Sequence, residues 1–506
     1  MSGPEPGWEQ RPGDATNAYT RPLIGSELWY DQSMRLQDGL SQFAIGVQFT
    51  TTIHERDIEA RVKAALVRLR FECPLVAATI ERGTHHPEFR SWVYAPLPSA
   101  AAARAWADQT VHYLRTPADP FSFLHSTVET TTLPHVLADG SEQFLRVYLT
   151  RPSAALNVYC LAFHTVHSIA DAKPALNALS LLLEWMAAPE VRVGDGPGED
   201  LAWGTEQKNL PPGPVTVTGG PREDWGTNGM ALIQKFQTVF VEPTPSHGLE
   251  CDTSGDKPEG SGMAHRLLVR FTVQESAKIG QALKALGFTF SELLDAAGLL
   301  AAFAHNPVPA GKVDTALIKG ASLITLTDRL PPAVDRRRHL VSCLVFAAYR
   351  LPYAPLAALP AGRARLLAAL RETKEHYDAW LANPCLPHLV AEFGPYIAPT
   401  KVVEAPPPGP YVPMMTNVGR VEDYVAPVWP REGEEGGASG GEKVIRVEDM
   451  HMVCRMGRVW VQPTLHSWSI QGRLSVLLEA AGVWDKDVLQ DYLNEVVKQI
   501  SLIFAE

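Results

Sequence analysis

The segment FHTVHSIADAKP, residues 163–174, carries the most information about how this chain folds and works. An apolar run over residues 156–163 predicts a strand, and residues 174–186 predict a helix with a proline near its first turn. His167 follows the strand, and Asp171 lies four positions on. A histidine just past a strand can lie on the floor of a cleft, where its ordinary pKa suits general base catalysis near neutral pH.

The same spacing also fits a structural role. Asp171 stands shortly before Pro174, a favourable position for a helix N-cap, and a core histidine before it needs no chemistry. Spacing alone therefore favours the structural interpretation, and the rest of the chain has to provide evidence for a catalytic one.

Composition limits the class of protein. A chain of 506 residues, 45% hydrophobic and 20% charged, is too long for one simple core and predicts two large lobes or several domains. The net charge of -11 and the lack of basic stripes argue against a nucleic-acid partner. Six scattered cysteines without a CxxC pair predict reduced thiols and no zinc site.

Neither a secretory signal nor a membrane span is predicted. The leader over residues 1–14 has no basic and apolar regions of signal type, and the most apolar stretch, residues 293–304, is interrupted by Asp295 and too short to cross a bilayer. We therefore expect a cytoplasmic protein without a membrane partner.

Both halves of the chain are predicted to contain both helices and strands. Further helices are predicted over residues 55–70, 273–286, 291–304 and 484–504, and further strands over 144–149, 264–271 and 315–325. Thr272 and Glu275 have capping-box spacing at one helix start. The predicted organisation is a flexible leader at 1–20, an N-terminal lobe at 21–192, a crossover linker at 193–263 and a C-terminal lobe at 264–506.

Four segments in this order resemble the CoA-dependent acyltransferase superfamily, which includes chloramphenicol acetyltransferase, the BAHD plant acyltransferases and condensation domains. They are the HxxxD segment around His167, GFTFSELLDAA at 287–297, LTDRL at 326–330 and WSIQGRL at 468–474. The resemblance covers about residues 20–506 and is greatest to the fungal trichothecene 15-O-acetyltransferase and condensation-domain-like group. Its motifs are loose one by one, and their joint order is more specific.

This resemblance implies an α/β fold of two chloramphenicol-acetyltransferase-like lobes with the active-site tunnel between them. It implies a monomeric acyl-CoA-dependent O-acyltransferase, an acetyltransferase, acting on a hydroxyl of an apolar secondary metabolite. Acyl-CoA is then a co-substrate, and no metal or tightly bound cofactor is expected. The alternative is a condensation-fold enzyme that has lost CoA-dependent transfer and catalyses a cyclisation, elimination or isomerisation, and a third possibility is a non-catalytic binding scaffold.

The resemblance also assigns roles. It makes His167 the general base and Asp171 a structural brace that pairs with Arg329. A buried pair of this kind would fix the loop that carries His167. The further assignments are Ser469 for the oxyanion, with Trp468, Asn417 and Gly419 bordering the substrate.

Two departures from the family pattern bear on these roles. Val166 replaces the first histidine of the usual HHxxxDG doublet, and Ala172 replaces the glycine after the aspartate. If that position needs a positive φ, alanine is costly there, which keeps the alternative reaction open. TNVGR at 416–420 stands where BAHD enzymes have DFGWG.

Overall fold

Two six-stranded sheets, each packed against helices, organise this chain, so the predicted α/β class with two lobes is confirmed. The computed structural model describes residues 3–14, 16–82, 90–115, 117–152, 157–188, 197–240, 247–251, 263–402, 404, 409–430, 444–457 and 460–505.

The first half of the chain supplies ten strands and seven helices among these residues. The strands are β1 (Glu9–Gln10), β2 (Tyr19–Pro22), β3 (Gln42–Thr51), β4 (Thr79–Arg82), β5 (Arg90–Tyr94), β6 (Val111–Leu114), β7 (His135–Val136), β8 (Glu142–Gln143), β9 (Leu145–Thr150) and β10 (Val158–Val166). The helices are α1 (Ser26–Leu36), α2 (Glu55–Glu72), α3 (Ala100–Thr110), α4 (Pro120–Thr130), α5 (Ala172–Ala187), α6 (Pro214–Val217) and α7 (Asn228–Phe240).

The second half supplies eight strands and six helices to the described structure. The strands are β11 (His265–Arg270), β12 (Leu317–Thr325), β13 (Leu344–Pro352), β14 (Met414–Arg420), β15 (Val428–Trp429), β16 (Ile445–Cys454), β17 (Thr464–Ile470) and β18 (Arg473–Ala480). The helices are α8 (Val273–Leu286), α9 (Phe290–His305), α10 (Ala354–Ala357), α11 (Arg363–Leu381), α12 (Leu389–Ile397) and α13 (Lys486–Ser501).

The first sheet has the strand order β15-β16-β3-β10-β9-β6, and the second has the order β11-β18-β17-β14-β12-β13. A four-stranded sheet, β1-β2-β5-β4, and the small pair β7-β8 complete the first half. Strands β15 and β16 belong by sequence to the second half, yet β16 pairs antiparallel with β3 over almost its whole length. Strands β15 and β16 thus belong to the sheet of the first lobe although they lie in the predicted C-terminal lobe, while the predicted domain limits stay a prediction.

Strand β10 explains why its sequence is apolar without alternation. It lies in the middle of the first sheet, and both its faces are covered. Phe163 packs into the large core with α2 and α5, whereas Cys160 and Ala162 pack in a smaller cluster beneath α4. The strand extends to Val166, past the predicted end at Phe163.

Local signals predicted several helices closely. Helix α8 begins and ends at the predicted residues because Thr272 and Glu275 form the capping box and Gly287 ends the helix with a φ of 74°. Helix α9 has a second capping box, from Thr289 and Glu292. Within the described residues, no single helix is long and apolar enough to cross a membrane; only α8 and α9 together, bent by 102°, pass by length and composition.

Candidate active site

A cavity of about 120 Å³ lies between the two sheets and holds the predicted histidine. The first lobe lines it from α1, β3, β16, the turn after β10 and the start of α5, and the second lobe lines it from β12, β13, β14 and β17. Most of the lining is apolar or aromatic, which suits a largely apolar ligand. The apolar lining residues are Trp29, Tyr30, Leu40, Phe43, Ala172, Leu323, Leu344, Met414, Val418, Met452, Met456 and Trp460.

His167 reaches this cavity from the turn that follows β10. Its backbone N–H donates to the Ser41 carbonyl at 3.0 Å, which ties the turn to the start of β3. Its ring is stacked between Tyr30, with centroids 4.7 Å apart, and Phe43, with centroids 4.4 Å apart. The aromatic rings fix the plane of the imidazole and leave the side chain half-buried at the cavity wall.

Burial, with a smaller effect of the nearby His466 in the same direction, lowers the pKa of His167 to about 3 against the opposing effect of a backbone hydrogen bond at Ala170. The imidazole is therefore neutral near pH 7 and has a lone pair available to accept a proton. That is the protonation state that a general base requires.

Asp171 is the N-cap of α5, as its position in the sequence suggested. Its Oδ1 accepts the Lys173 backbone N–H at 3.1 Å, and its Oδ2 accepts the Cys343 backbone N–H at 3.2 Å. Burial raises the pKa of Asp171 to about 6, although both backbone bonds oppose that rise. The carboxyl thus ties the helix start to the segment before β13.

The predicted pair between Asp171 and Arg329 is wrong. Both residues are described, and Arg329 lies exposed in a short 3-10 turn, away from the buried carboxyl. The cation near this turn is instead Lys173, whose Nζ lies 2.6 Å from Asp328. The backbone N–H of Cys343 binds the Asp171 carboxyl, which is the role that the resemblance assigned to Arg329.

Ala172 is the first residue of α5 and is absent from the residues with positive φ. No glycine is needed at this position, so the substitution of alanine for glycine introduces no backbone strain. The replacement of glycine by alanine at position 172 therefore gives no support to the alternative reaction.

The assignments on β17 were wrong for a different reason. Side chains alternate along a strand, and Thr464 and His466 line the cavity. Ser469 lies on the opposite face and does not line the cavity, so it is not placed to bind an oxyanion there. Trp468 is on the cavity-side face but lies farther along the strand, 1% exposed in the core shared with the first lobe.

Asn417 lines the cavity, as predicted, but protein groups occupy its amide. Its Nδ2 donates to Ser291 Oγ at 3.0 Å, and its Oδ1 accepts from the Gly419 backbone and the Ser467 hydroxyl, each at 3.0 Å. Gly419 does not line the cavity and has a φ of 89°, at the bulge where β14 shifts its register against β17. These residues shape β14 and are not free substrate-binding groups.

A row of polar side chains crosses the cavity-side face of the second sheet. On adjacent strands, Arg266 Nε lies 2.7 Å from Glu479 Oε1, and Glu479 Oε2 lies 2.9 Å from His466 Nε2. The other ring nitrogen, Nδ1 of His466, lies 3.3 Å from Thr416 Oγ1. Arg266 also contacts Glu129 Oε1 of the first lobe at 2.8 Å. Thr416 and His466 both line the cavity, so the row ends at the ligand space.

Glu479 is ionised within this row. Burial acts to raise its pKa, but the hydrogen bond with His466 and the charge of Arg266 outweigh it, and the pKa is lowered. Cys454 Sγ, His466 and Glu479 could also offer three metal-ligand atoms within 4.8 Å of one another. Arg266 already contacts one oxygen of Glu479, and His466 contacts the other, so this set fits a metal ion poorly.

No motif in the sequence predicts this row, because its members come from four separate strands. Only the alternation of His466 with Trp468 on β17 could have drawn attention to His466. The stacking of Tyr30 and Phe43 on His167 likewise joins segments far apart in the chain.

Comparison with solved structures gives matches along the full length of the chain. Trichothecene 15-O-acetyltransferase TRI3 from Fusarium sporotrichioides superimposes with a TM-score of 0.82 at 17% identity, over 100% of this chain and 98% of that one. The condensation domain of the monacolin K polyketide synthase MokA matches with a TM-score of 0.61 at 10% identity, over 96% and 97% of the two chains. The first condensation domain of the CDA synthetase matches with a TM-score of 0.62 at 12% identity, over 96% of each chain.

No family model and no curated protein matches the sequence. The solved structures share the two-lobed architecture, and the cavity of this chain lies between its two sheets, where the sequence resemblance places the active site. The chain therefore has the fold that trichothecene 15-O-acetyltransferase TRI3 and these condensation domains share.

Proposed function

We propose that this protein is an acyl-CoA-dependent O-acyltransferase that transfers an acetyl group to a hydroxyl of an apolar secondary metabolite. The observation that carries the proposal is a neutral His167 on the wall of a mostly apolar cavity between the two lobes. Likeness in fold to an acetyltransferase of known structure supports it.

In this reaction His167 accepts the proton of the acceptor hydroxyl while the oxygen attacks the thioester carbonyl. Stacking between Tyr30 and Phe43 holds the imidazole in one plane, so the ring loses little further rotational freedom when the substrates react. General base catalysis of this kind contributes about 10²–10⁴-fold. The apolar walls exclude water, which favours transfer to the alcohol over hydrolysis of the thioester.

Acyl-CoA enters as a co-substrate, so the proposed reaction requires no tightly bound cofactor. The acceptor occupies the apolar part of the cavity, where Trp29, Leu344 and Met452 offer surface for a hydrocarbon skeleton. A lipophilic alcohol gains free energy from this surface at about 25 cal/mol for each Å² that leaves water.

The test incubates the purified chain with acetyl-CoA and a panel of terpenoid and polyketide alcohols, and follows free thiol together with the mass of the product. We expect thiol release that depends on an alcohol, and His167→Ala should lower kcat by about 10²–10⁴-fold. His54→Ala, at an exposed histidine before α2, is the matched control and should leave the rate unchanged.

Three results would count against the proposal. No thiol release and no binding of CoA by calorimetry would refute acyl transfer from CoA. Conversion of an alcohol without a change of mass would favour the cyclisation or isomerisation alternative. Binding of CoA without release of thiol would favour a scaffold, and full activity of His167→Ala would remove the histidine from the mechanism.

A further inference from the structure

Two histidines face the cavity from opposite lobes, and their surroundings differ. His167 in the first lobe is enclosed by the rings of Tyr30 and Phe43. His466 in the second lobe lies 2.9 Å from the carboxylate of Glu479. Aromatic burial favours a neutral imidazole, and an adjacent carboxylate favours a charged one.

The groups around His466 carry more negative than positive charge. The Arg266 side chain is fully buried and contacts two carboxylates, the buried Glu479 in its own sheet and the partly exposed Glu129 from α4. One guanidinium thus faces two carboxylates, and His466 Nε2 lies within ion-pair distance of one of them. This surrounding is complementary to a ring that carries a proton on both nitrogens.

The other titratable groups near this row are two that burial keeps neutral and one cation that has its own carboxylate partner. Burial and the charge of Glu479 raise the pKa of the Cys454 thiol well above its ordinary value. Burial and the charge of Arg266 lower the pKa of His125. Arg455, which lines the same cavity, lies 3.5 Å from the carboxylate of Asp38.

We propose that His466 is a second catalytic group, the acid of the reaction, and that it delivers its proton to the cavity through the Thr416 hydroxyl. The contact of 3.3 Å between His466 Nδ1 and Thr416 Oγ1 is the path, and Glu479 is the positioning residue that holds the ring by Nε2. Pairs of groups whose environments favour opposite protonation states are the usual basis for assigning an acid and a base.

The inference rests on the proposed acyl transfer and completes its proton balance. The bond between the acceptor oxygen and the carbonyl carbon forms, and the acceptor proton passes to His167. The carbon–sulfur bond then breaks, and the departing thiolate takes the Thr416 hydroxyl proton while His466 Nδ1–H re-protonates Thr416. His167 ends protonated and His466 neutral, and exchange with water restores both.

The experiment compares two thioesters as acyl donors for the full-length protein. The thiolate of acetyl-CoA is basic, since an alkyl thiol such as that of cysteine titrates near about 8.5, and its departure needs an acid. The arylthiolate of S-phenyl thioacetate is a much weaker base and leaves without one. In Thr416→Val and His466→Asn, we expect kcat with acetyl-CoA to fall about 10²-fold or more, and kcat with the aryl thioester to change little.

Thr416→Ser should restore the acetyl-CoA rate, because it restores the hydroxyl. Thr373→Val, at a buried threonine on α11 outside this cavity, is the matched control and should behave as wild type. If His466→Asn does not fold, the nearly isosteric Thr416→Val gives the answer alone.

An equal loss with both thioesters, or no loss with either, overturns the inference and leaves the proposed function intact. Wild type that releases no thiol from acetyl-CoA refutes the proposed function itself, and the inference with it.

Discussion

Replacing Asp171 with asparagine distinguishes a carboxylate held by backbone amides from one held in an ion pair. Asp171 is 3% exposed, and burial raises its pKa from the ordinary value of 3.8 to about 6. At about 1.4 kcal/mol for each pH unit, the ionised carboxylate therefore costs the folded protein roughly 3 kcal/mol above pH 6.

The direction in which the free energy of unfolding changes with pH follows from the number of protons that each state binds. Between the two pKa values the folded state holds more protons than the unfolded state, so the free energy of unfolding falls as pH rises through this window. Asparagine carries no charge and removes that cost. Its amide N–H₂ cannot accept the Cys343 backbone N–H, however, and a buried donor left without a partner costs about 1–3 kcal/mol.

The two effects nearly offset each other at pH 8. We expect Asp171→Asn to be between unchanged and about 2 kcal/mol more stable than wild type there. At pH 5 the wild-type carboxyl is mostly protonated when folded, so the advantage of asparagine should be smaller by about 1.4 kcal/mol. Urea unfolding at both pH values, followed by tryptophan fluorescence, measures this difference.

An ion pair with Arg329 would give another result. Breaking a buried pair by removing one partner costs about 3–5 kcal/mol, and removing either partner would show it. Arg329→Ala is the matched control, and because this side chain is exposed we expect a change within about 0.5 kcal/mol. A loss of about 3–5 kcal/mol in both variants at pH 8 would refute the reasoning.

Three further predictions concern substitutions between glycine and alanine. Gly46→Ala should cost about 1–3 kcal/mol of stability in urea, because a new Cβ would lie 2.6 Å from Ala162 Cβ and 3.0 Å from its Cα; Gly280→Ala, exposed in α8 with open space around it, should instead stabilise by about 0.4–1 kcal/mol. Ala172→Gly should lower the free energy of unfolding by no more than about 1 kcal/mol, and a clear gain would mean that this helix start favours glycine after all.

Local rules were enough to predict much of the fold. Helix α8 could be placed to the residue because the Thr272 cap, the Glu275 partner and the terminal Gly287 are neighbours in the chain. The strand, turn and helix around His167 could be predicted for the same reason, since periodicity and capping depend on residues a few positions apart. The roles of His167 and Asp171 came from a resemblance, and the catalytic role stays a prediction.

Contacts between distant segments followed no such rule. The partner of Asp171 is the backbone N–H of Cys343, and a backbone amide leaves no mark in a sequence because almost every residue has one. The crossing of β16 into the first sheet and the face that β17 turns toward the cavity depend on strand order and register.

The row from Arg266 through Glu479 and His466 to Thr416 is the clearest case. Its four members lie on four adjacent strands, and their pairing exists only after those strands have aligned. The HxxxD segment therefore predicted the strand, turn and helix that carry His167. The residues that line the cavity from the second sheet could be identified only in the folded chain. Charge balance in a buried row is a property of three-dimensional proximity, which spacing along the chain does not encode.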